Sequence, residues 1–187
     1  YEARAIAWRR ELKIPDKALV FLFAGKLEEK KDPALLINAF KTLTNPGIRL
    51  LIVGHGLLEQ KLKEAAAGDE RILFLDFQNQ QLMPVVYRLG NVFVLPSKGP
   101  GETWGLSVNE AMACARPVIV SNKCGCAADL VKENGFVFSS DDQEGLQKTL
   151  QFFTDDKMKQ PGMGSSSYKK IQEFSITEKK KKIETLL

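Results

Sequence analysis

The sequence is poor in the residues that most often bind metals or form disulfide frameworks. It has one histidine and three cysteines among 187 residues. Cys114, Cys124 and Cys126 are odd in number and lack disulfide spacing, so a reducing, cytoplasmic location is expected rather than secretion. Cys124 and Cys126 also lack the usual Cys-x2-Cys spacing and a nearby histidine, so we expect no metal site there.

Long apolar runs and a strong charge imbalance are also missing. The longest apolar runs are about one strand in length, which excludes a transmembrane span, and we expect no signal peptide at the start. The net charge of +4 equals the charge of Lys179–Lys182 alone, and the balance elsewhere argues against a nucleic-acid surface. Peripheral contact of this lysine run with anionic lipid headgroups stays open.

The length of the chain fits one domain with a substantial core. Because the sequence begins at Tyr1 rather than at a methionine and opens on a helix-like stretch, we expect it to be a piece of something longer. We divide it into a linker helix at residues 1–17, a domain at residues 18–153, and a mobile connection with a C-terminal helix at residues 154–187.

The domain alternates short apolar runs with amphipathic stretches. The run ALVFLFA at residues 18–24 has the continuous apolar character of a parallel strand covered on both faces. Asp32 as N-cap and Pro33 at the first helical position predict a helix start. The predicted strands are residues 18–24, 48–53, 71–75, 92–95, 117–121 and 135–138, and the later predicted helices include residues 57–67, 80–89, 125–132 and 142–153. This alternation predicts an α/β fold, a Rossmann-like, doubly wound parallel sheet of about six strands with right-handed crossovers.

The segment after the domain has a different pattern. Residues 160–167, QPGMGSSS, contain proline, glycines and serines that are expected to interrupt any helix, and we place a mobile connection at residues 155–168. Residues 175–187 start with Ser175 or Thr177 as a helix cap and carry apolar residues at heptad spacing. We expect that segment to be a helix that packs against another element.

Glycines follow several of the predicted strands. Gly25, Gly54 and the 99–105 region lie where ligands bind in open parallel sheets, outside the carboxyl ends of the strands. Glycine lets the backbone approach a ligand closely and exposes amides at helix starts, which suits a phosphate. Lys26 and Lys31 follow the first strand and could neutralise the charge of a bound phosphate. Lysines at such positions are, however, often only solvated.

Two carboxylates flank the start of the next apolar helix. Glu110 is the only ionisable carboxylate between Thr103 and Ala115, and Glu102 precedes it by eight residues. Acceptors on both sides of exposed amides would suit a ligand with a central anion and hydroxyls at both ends, such as a nucleotide sugar. The alternative is structural, with Glu102 on the surface and Glu110 satisfied by Arg116 or by a backbone amide.

These residues carry a family resemblance. The stretch GETWGLSVNEAMACARPVIVS, with Glu102 and Glu110 separated by seven residues, resembles the motif of retaining glycosyltransferases of the GT-B fold, family 4 type. The segments FLFAGKLEEKKDPALLINAF, LLIVGHGLLEQKL and GCAADLVKENGFVF resemble the same family in order and spacing. The resemblance covers residues 18–153 and points to the C-terminal, donor-binding domain.

The resemblance implies a role for each matching residue. Lys26 and Lys31 would contact the donor's diphosphate in place of a divalent metal, Glu110 would accept from the ribose hydroxyls, and Glu102 would contact the transferred sugar. The backbone amides at residues 105–107 would bind phosphate, and residues 77–82 would pack on the base. The implied donor-binding residues are Gly25, Lys26, Lys31, Gly54, Phe77, Leu82, Glu102, Thr103, Gly105, Leu106, Ser107 and Glu110, and the candidate catalytic residues are Glu102, Lys31 and Lys26.

Several positions depart from the family pattern. Lys26 stands where Arg is common, and it keeps the charge but loses bidentate phosphate contact. Asp32 stands where many members have Gly, which could change the loop. His55, often Asp in the family, is interpreted as a turn residue rather than a catalytic one. Trp104 replaces a common Phe and is expected to pack in the core under the loop.

The implied function is transfer of a sugar from a nucleoside diphosphate sugar to an acceptor held by an N-terminal domain that this chain lacks. This is a hexosyltransferase-type reaction that needs no cofactor. The isolated chain is then expected to bind the donor weakly and to be inactive or nearly so. Three alternatives stay open: a non-catalytic nucleotide-sugar-binding module, a GT-B sugar-nucleotide epimerase, and an NAD-dependent Rossmann enzyme, against which the absence of GxGxxG after the first strand argues.

Overall fold

The computed structural model describes residues 1–99, 102–156 and 158–175, and these residues form an α/β fold. All strand pairings are parallel. The strands are β1 Leu19–Ala24, β2 Ile48–Val53, β3 Ile72–Leu75, β4 Val92–Leu95, β5 Val118–Ser121 and β6 Gly135–Phe138. They lie in the order β3-β2-β1-β4-β5-β6, which confirms the predicted doubly wound parallel sheet.

Eight α-helices surround this sheet in the described part of the chain. They are α1 Glu2–Glu11, α2 Pro33–Lys41, α3 Glu59–Ala66, α4 Met83–Leu89, α5 Leu106–Ala113, α6 Ala127–Leu130, α7 Gln143–Asp155 and α8 Lys159–Gln172. The chain runs outward from β1 to β3, returns to β4 and then runs outward in the opposite direction. Because such crossovers are right-handed, this reversal covers both faces of the sheet and opens a crevice between β1 and β4.

The two-sided cover explains why the central strands are apolar throughout. All six residues of β1 and all four of β4 are buried. Behind β1, the rings of Phe21 and Phe40 meet edge to face, with 6.3 Å between their centroids. Each fully buried side chain of this size contributes about 1.5–3 kcal/mol, so the centre of the sheet is a rigid base for the loops at its carboxyl edge.

Asp32 caps helix α2 as predicted. Its side chain accepts a hydrogen bond from the Leu35 N–H, 3.2 Å away, and Pro33 occupies the first helical turn. Asp32 has φ of 45° and ψ of 51°, a left-handed conformation that glycine adopts freely and that aspartate tolerates better than most residues. The residue that departs from the family pattern therefore supplies both the turn and the cap, while burial raises the pKa of its carboxyl.

Helix α1, in the segment expected to lead in as a linker, packs onto the domain. It lies against α4, and Ala5 is buried between them. Glu2 pairs with Arg88 at 3.2 Å and with Arg116 at 3.5 Å, and the Arg88 guanidinium lies 5.4 Å from the centre of the Tyr1 ring. The start of the described chain is thus held by ion pairs as well as by apolar packing.

The expectation that residues 160–167 interrupt any helix is wrong. Helix α8 runs without a break from Lys159 to Gln172. Pro161 lies in its first turn, where a missing N–H breaks no helical hydrogen bond. A Cβ at Gly164 would overlap the carbonyl of Ala115, and Ser167 is buried and accepts a hydrogen bond from Asn134 at 3.2 Å. The small residues serve close helix packing rather than a loop.

Two expectations concern segments at or beyond the limits of the description. The helix predicted at residues 175–187 lies outside the described residues apart from Ser175. Within the described residues, no helix combines the length and apolar character that a membrane span requires.

Candidate functional site

The loops after β1 and β4 meet where the sheet changes direction. The Lys98 N–H donates to the Lys30 carbonyl over 2.9 Å, and the Lys98 ammonium pairs with Glu29 at 3.1 Å. These contacts join the β1 loop to the segment that leads to Glu102. In doubly wound sheets this is the position at which ligands bind.

Lys31 and Glu102 form an ion pair across that meeting point. The Lys31 Nζ lies 2.6 Å from the Glu102 Oε2, and the two side chains are only 15% and 11% exposed. The Ser97 hydroxyl donates to the same oxygen over 3.2 Å. A Cβ at Gly25 would lie 3.3 Å from the Lys31 Cδ, so the lysine stem runs closely over that glycine. The structure thus brings Glu102 and Lys31 together, and the two charges satisfy each other.

Two adjoining cavities open beside this pair. The first holds about 230 Å³, and the second about 390 Å³. They share the lining residues Ala24, Gly25 and Ser107, and together they are called the donor crevice after the ligand that the resemblance implies. The first cavity is lined by Ala24, Gly25, Lys26, Val53, Gly54, His55, Phe77, Gln78, Gln80, Met83, Tyr87, Ser107 and Glu110. The second is lined by Ala24, Gly25, Lys31, Glu102, Thr103, Trp104, Gly105, Leu106 and Ser107.

The donor crevice gathers all but one of the residues expected at the site. Lys26 lines the first cavity and Lys31 the second. Leu82 is the exception, because it lies in a separate cavity near Arg4 and Trp8 of helix α1. Helix α4 begins one residue later, at Met83, which lines the first cavity of the donor crevice instead.

Glu110 is held by side-chain donors rather than by a cation. Its Oε1 accepts from the Gln80 amide over 2.9 Å, and its Oε2 accepts from the Tyr87 hydroxyl over 2.6 Å. Arg116 instead donates to the carbonyls of Cys114 and Gly90. The structural alternative that paired Glu110 with Arg116 is therefore wrong, and the carboxylate faces the first cavity without a positively charged partner in the described part of the chain.

Tyr87 is a site residue that the sequence reading missed. It lies on helix α4, is 1% exposed, and is buried on that helix together with Val85, Val86 and Leu89. Burial, followed by the hydrogen bond to Glu110, raises the pKa of its hydroxyl far above the usual value. A tyrosine in a buried stripe needs a polar partner for its hydroxyl, and that requirement was the available signal.

An aromatic pair lies at the rim of the first cavity. The rings of His55 and Phe77 meet edge to face with 5.3 Å between centroids, and Phe77 is 63% exposed. The His55 carbonyl accepts from the Leu27 N–H over 2.9 Å, which agrees with the interpretation of His55 as a turn residue. The exposed face of Phe77 is available to a flat ligand.

Helix α5 begins inside the second cavity. Gly105, with φ of 95°, precedes its first turn and provides no side-chain cap. Leu106 is 70% exposed, and the Ser107 hydroxyl is buried with no hydrogen-bond partner among the described residues. The free N–H groups of a helix start and a buried hydroxyl form an environment that suits an anion.

The Trp104 loop, residues 102–104, is attached to the segment after β5. The Glu102 and Trp104 carbonyls accept from the N–H groups of Gly125 and Cys126 over 3.3 and 2.9 Å. The Trp104 indole N–H donates to Asn109 over 2.8 Å, and its ring lies 6.5 Å from that of Phe174. Trp104 is half-buried beneath the loop, which agrees with the packing expected for it.

Sequence comparison identifies relatives of this chain. A family model described as glycosyl transferases group 1 matches residues 5–170. The D-inositol 3-phosphate glycosyltransferase of Corynebacterium efficiens is 29% identical over 179 residues, covering 89% of this chain and 42% of the relative. The sulfoquinovosyl transferase SQD2 of Arabidopsis thaliana is 27% identical over 165 residues, covering 86% of this chain and 31% of the relative. The chain thus spans less than half the length of these relatives.

Solved structures share the fold. HepE of Anabaena in complex with UDP and glucose matches with a TM-score of 0.83 and 22% identity, over 98% of this chain and 52% of that one. The C-terminal domain of the group 1 glycosyl transferase LpcC from Francisella tularensis matches with a TM-score of 0.78 and 22% identity, over 92% of this chain and 93% of that one. The chain therefore belongs to the group 1 glycosyltransferases, and it has the Rossmann-like fold that forms one half of the GT-B fold.

Proposed function

We propose that this chain is the donor-binding domain of a retaining glycosyltransferase, family 4 type, that uses a nucleoside diphosphate sugar. The observation that carries the proposal is the convergence of Lys31, Glu102 and Glu110 on one crevice at the switch point of the sheet. The structural neighbour HepE has been solved with UDP and with UDP-glucose, which supports a uridine nucleotide as the first ligand to test.

The shape of the donor crevice suggests one orientation for the donor. The ribose would lie against Glu110 in the first cavity, with the base against Phe77 at the rim. The diphosphate would lie at the start of helix α5, near Ser107 and between Lys26 and Lys31. The transferred sugar would then lie in the second cavity beside Glu102. This orientation matches each polar group of a nucleotide sugar to a partner of complementary chemistry.

The same arrangement suits the proposed chemistry. The bond between the sugar C1 and the phosphate oxygen breaks, and the nucleoside diphosphate leaves with the bonding electron pair. The oxygen of an acceptor hydroxyl bonds to C1 on the same face, and the hydroxyl proton passes to the departing phosphate oxygen. Negative charge grows on the leaving phosphate. The ammonium groups of Lys26 and Lys31 and the positive end of helix α5 would stabilise that charge in place of a divalent metal.

The acceptor has no assigned place in the described residues. We propose that an N-terminal domain outside this chain holds it, so the chain alone binds donor weakly and does not transfer sugar. Incubating the chain with UDP-glucose and candidate acceptors should yield no glycosylated product. Appreciable transfer by the chain alone would contradict the proposal, and product analysis of a two-domain protein would separate transfer from epimerisation or simple binding.

Replacing Glu110 by glutamine is expected to weaken UDP binding. The substitution keeps the size of the side chain but removes the charge that strengthens its hydrogen bonds to the ribose. A hydrogen bond to a charged group contributes about 1.5–3 kcal/mol. Isothermal titration calorimetry of UDP with both proteins measures the change as a rise in Kd of roughly 10- to 150-fold.

Glu64→Gln is the matched control for that experiment. Glu64 also accepts from a glutamine amide, Gln60, over 2.8 Å, but this pair is exposed on helix α3. The control should leave the Kd for UDP unchanged. An unchanged Kd in the Glu110 variant would count against the ribose role, and comparing UDP, GDP, ADP and NAD on the wild-type chain would show which nucleotide the crevice accepts.

A further inference from the structure

The Tyr87 hydroxyl reaches Glu110 from beneath the donor crevice. It belongs to a side chain that is 1% exposed, and its 2.6 Å hydrogen bond is the shorter of the two that Glu110 accepts. Its ring is packed edge to face on Phe93 of β4, with centroids 5.6 Å apart. The hydroxyl that donates this hydrogen bond is therefore fixed by the core of the sheet rather than by a surface loop.

The two oxygens of Glu110 have unlike partners. Gln80, which donates to Oε1, is an exposed side chain before helix α4, so holding it costs side-chain entropy and gains little in water. Tyr87 pays no such cost, because packing has already fixed its ring. The Glu110 Oε2 thus has a permanent hydrogen-bond donor in Tyr87. The Oε1 has a hydrogen-bond donor, Gln80, that an incoming ligand hydroxyl can replace.

A charged acceptor with one fixed oxygen can present its remaining lone pairs in a single direction. A carboxylate has about four acceptor sites, and a short hydrogen bond to one oxygen restricts rotation of the whole group. Without the Tyr87 hydroxyl, Oε2 would lose its donor and the carboxylate would turn toward water or toward Gln80. The buried hydroxyl stays protonated, because burial and Glu110 raise its pKa.

We propose that Tyr87 is a positioning residue that orients Glu110 toward the two hydroxyls of a ribose, and that it thereby makes the site selective for ribonucleotides over nucleotides that lack those hydroxyls. The inference rests on the proposed function, since it assumes that Glu110 faces the ribose. It adds a residue on helix α4 to the donor site and assigns it a role in specificity.

The test compares two nucleotides rather than one. Calorimetry of the full chain with UDP and with 2′,3′-dideoxy-UDP gives a selectivity ratio for each protein. We expect the wild type to favour UDP at least tenfold, and Tyr87→Phe to lower that ratio at least threefold. Tyr168→Phe, which removes a hydroxyl from a half-exposed side chain on helix α8, should retain the wild-type ratio.

The possible results distinguish failure of the positioning role of Tyr87 from failure of the ribose role of Glu110. If Glu110→Gln lowers the ratio and Tyr87→Phe does not, the positioning role is overturned and the ribose role stands. If Tyr87→Phe weakens both nucleotides equally, the residue is only structural and the inference is overturned. If the wild type itself shows no preference, or Glu110→Gln leaves the ratio unchanged, the ribose role fails and the inference fails with it.

Folding of the variant is controlled by a second measurement. Phenylalanine keeps the ring contact with Phe93, so Tyr87→Phe is expected to fold, as circular dichroism would show. The double variant Tyr87→Phe, Glu110→Gln should be no less selective than Glu110→Gln alone, because the hydroxyl acts through the carboxylate. Independent, additive losses in the double variant would overturn the positioning role.

Discussion

Replacing Gly54 by alanine is expected to lower the free energy of unfolding by about 3–5 kcal/mol. Gly54 follows β2 with φ of 144°, and a Cβ there would overlap the carbonyl oxygen of Gly25. The cost combines a backbone conformation that suits only glycine with a clash against backbone that cannot rotate away. Chemical denaturation of both proteins measures it, and because the displaced residue lines the donor crevice, UDP binding should fall as well.

Gly68→Ala separates the two causes. Gly68 also has a positive φ, 82°, but a Cβ there would meet nothing within 4 Å. Its substitution should cost only the backbone term, about 1–2 kcal/mol, and should leave UDP binding unchanged. Equal losses of stability in the two variants would show that the close approach of Gly54 to Gly25 is not the reason why position 54 requires glycine.

Replacing Glu102 by glutamine is expected to have opposite effects on stability and on nucleotide binding. The wild-type Lys31–Glu102 pair is mostly buried, and removing one charge leaves the other without compensation, which costs about 3 kcal/mol for a buried pair. In the proposed donor orientation, the same change removes a negative charge that competes with the diphosphate for Lys31. UDP should therefore bind about tenfold more tightly, a gain of about 1.4 kcal/mol.

The effect of Glu102→Gln on UDP-glucose binding is expected to differ from its effect on UDP binding. In the proposed orientation Glu102 contacts the transferred sugar, so the Glu102 variant should lose much of any preference for UDP-glucose over UDP in calorimetry. Glu29→Gln is the matched control, because Glu29 pairs with Lys98 at the edge of the same loops but is 68% exposed; exposed pairs contribute about 0–1 kcal/mol. Weaker binding of UDP to the Glu102 variant would argue that Glu102 holds Lys31 in place for the phosphate rather than competing with it.

The sheet could be predicted from the sequence because its signal is local. A run such as residues 18–24 is apolar at every position and only about a strand in length, as expected of a strand covered on both faces. The glycines and the Asp32 cap mark where strands end and helices begin. The boundaries of β2, β4 and β6 agree with the prediction, and β1, β3 and β5 begin one residue later than predicted.

The partners of Glu110 could not be predicted because they depend on how two helices pack. Arg116 is near in sequence, and at residues 114–117 the chain turns it back toward Glu2 and the Gly90 carbonyl. Tyr87 is 23 residues away and reaches Glu110 only because α4 and α5 lie side by side. Leu82 illustrates the same limit, since Leu82 and the adjacent Met83 at the helix start line different cavities.

Helix α8 shows tertiary contacts overriding local propensity. Glycine and serine are poor helix formers, and on propensity alone residues 160–167 would form a loop. Gly164 allows the helix to approach Ala115 closely, and Ser167 replaces contact with water by a hydrogen bond to Asn134. The helix at residues 160–167 could have been predicted only if the surface against which it packs had been known.

The Trp104 loop provides the domain with an optical reporter. The chain has two tryptophans. The ring of Trp104 lies near that of Phe174, just after helix α8, and its indole N–H is bonded to Asn109. Because Trp104 and Glu102 line the same cavity, a ligand bound there would change the polarity around the indole. With Trp8 replaced by phenylalanine, the emission wavelength of a single residue would follow occupancy of the sugar end of the crevice, and stopped-flow mixing could time it without a label.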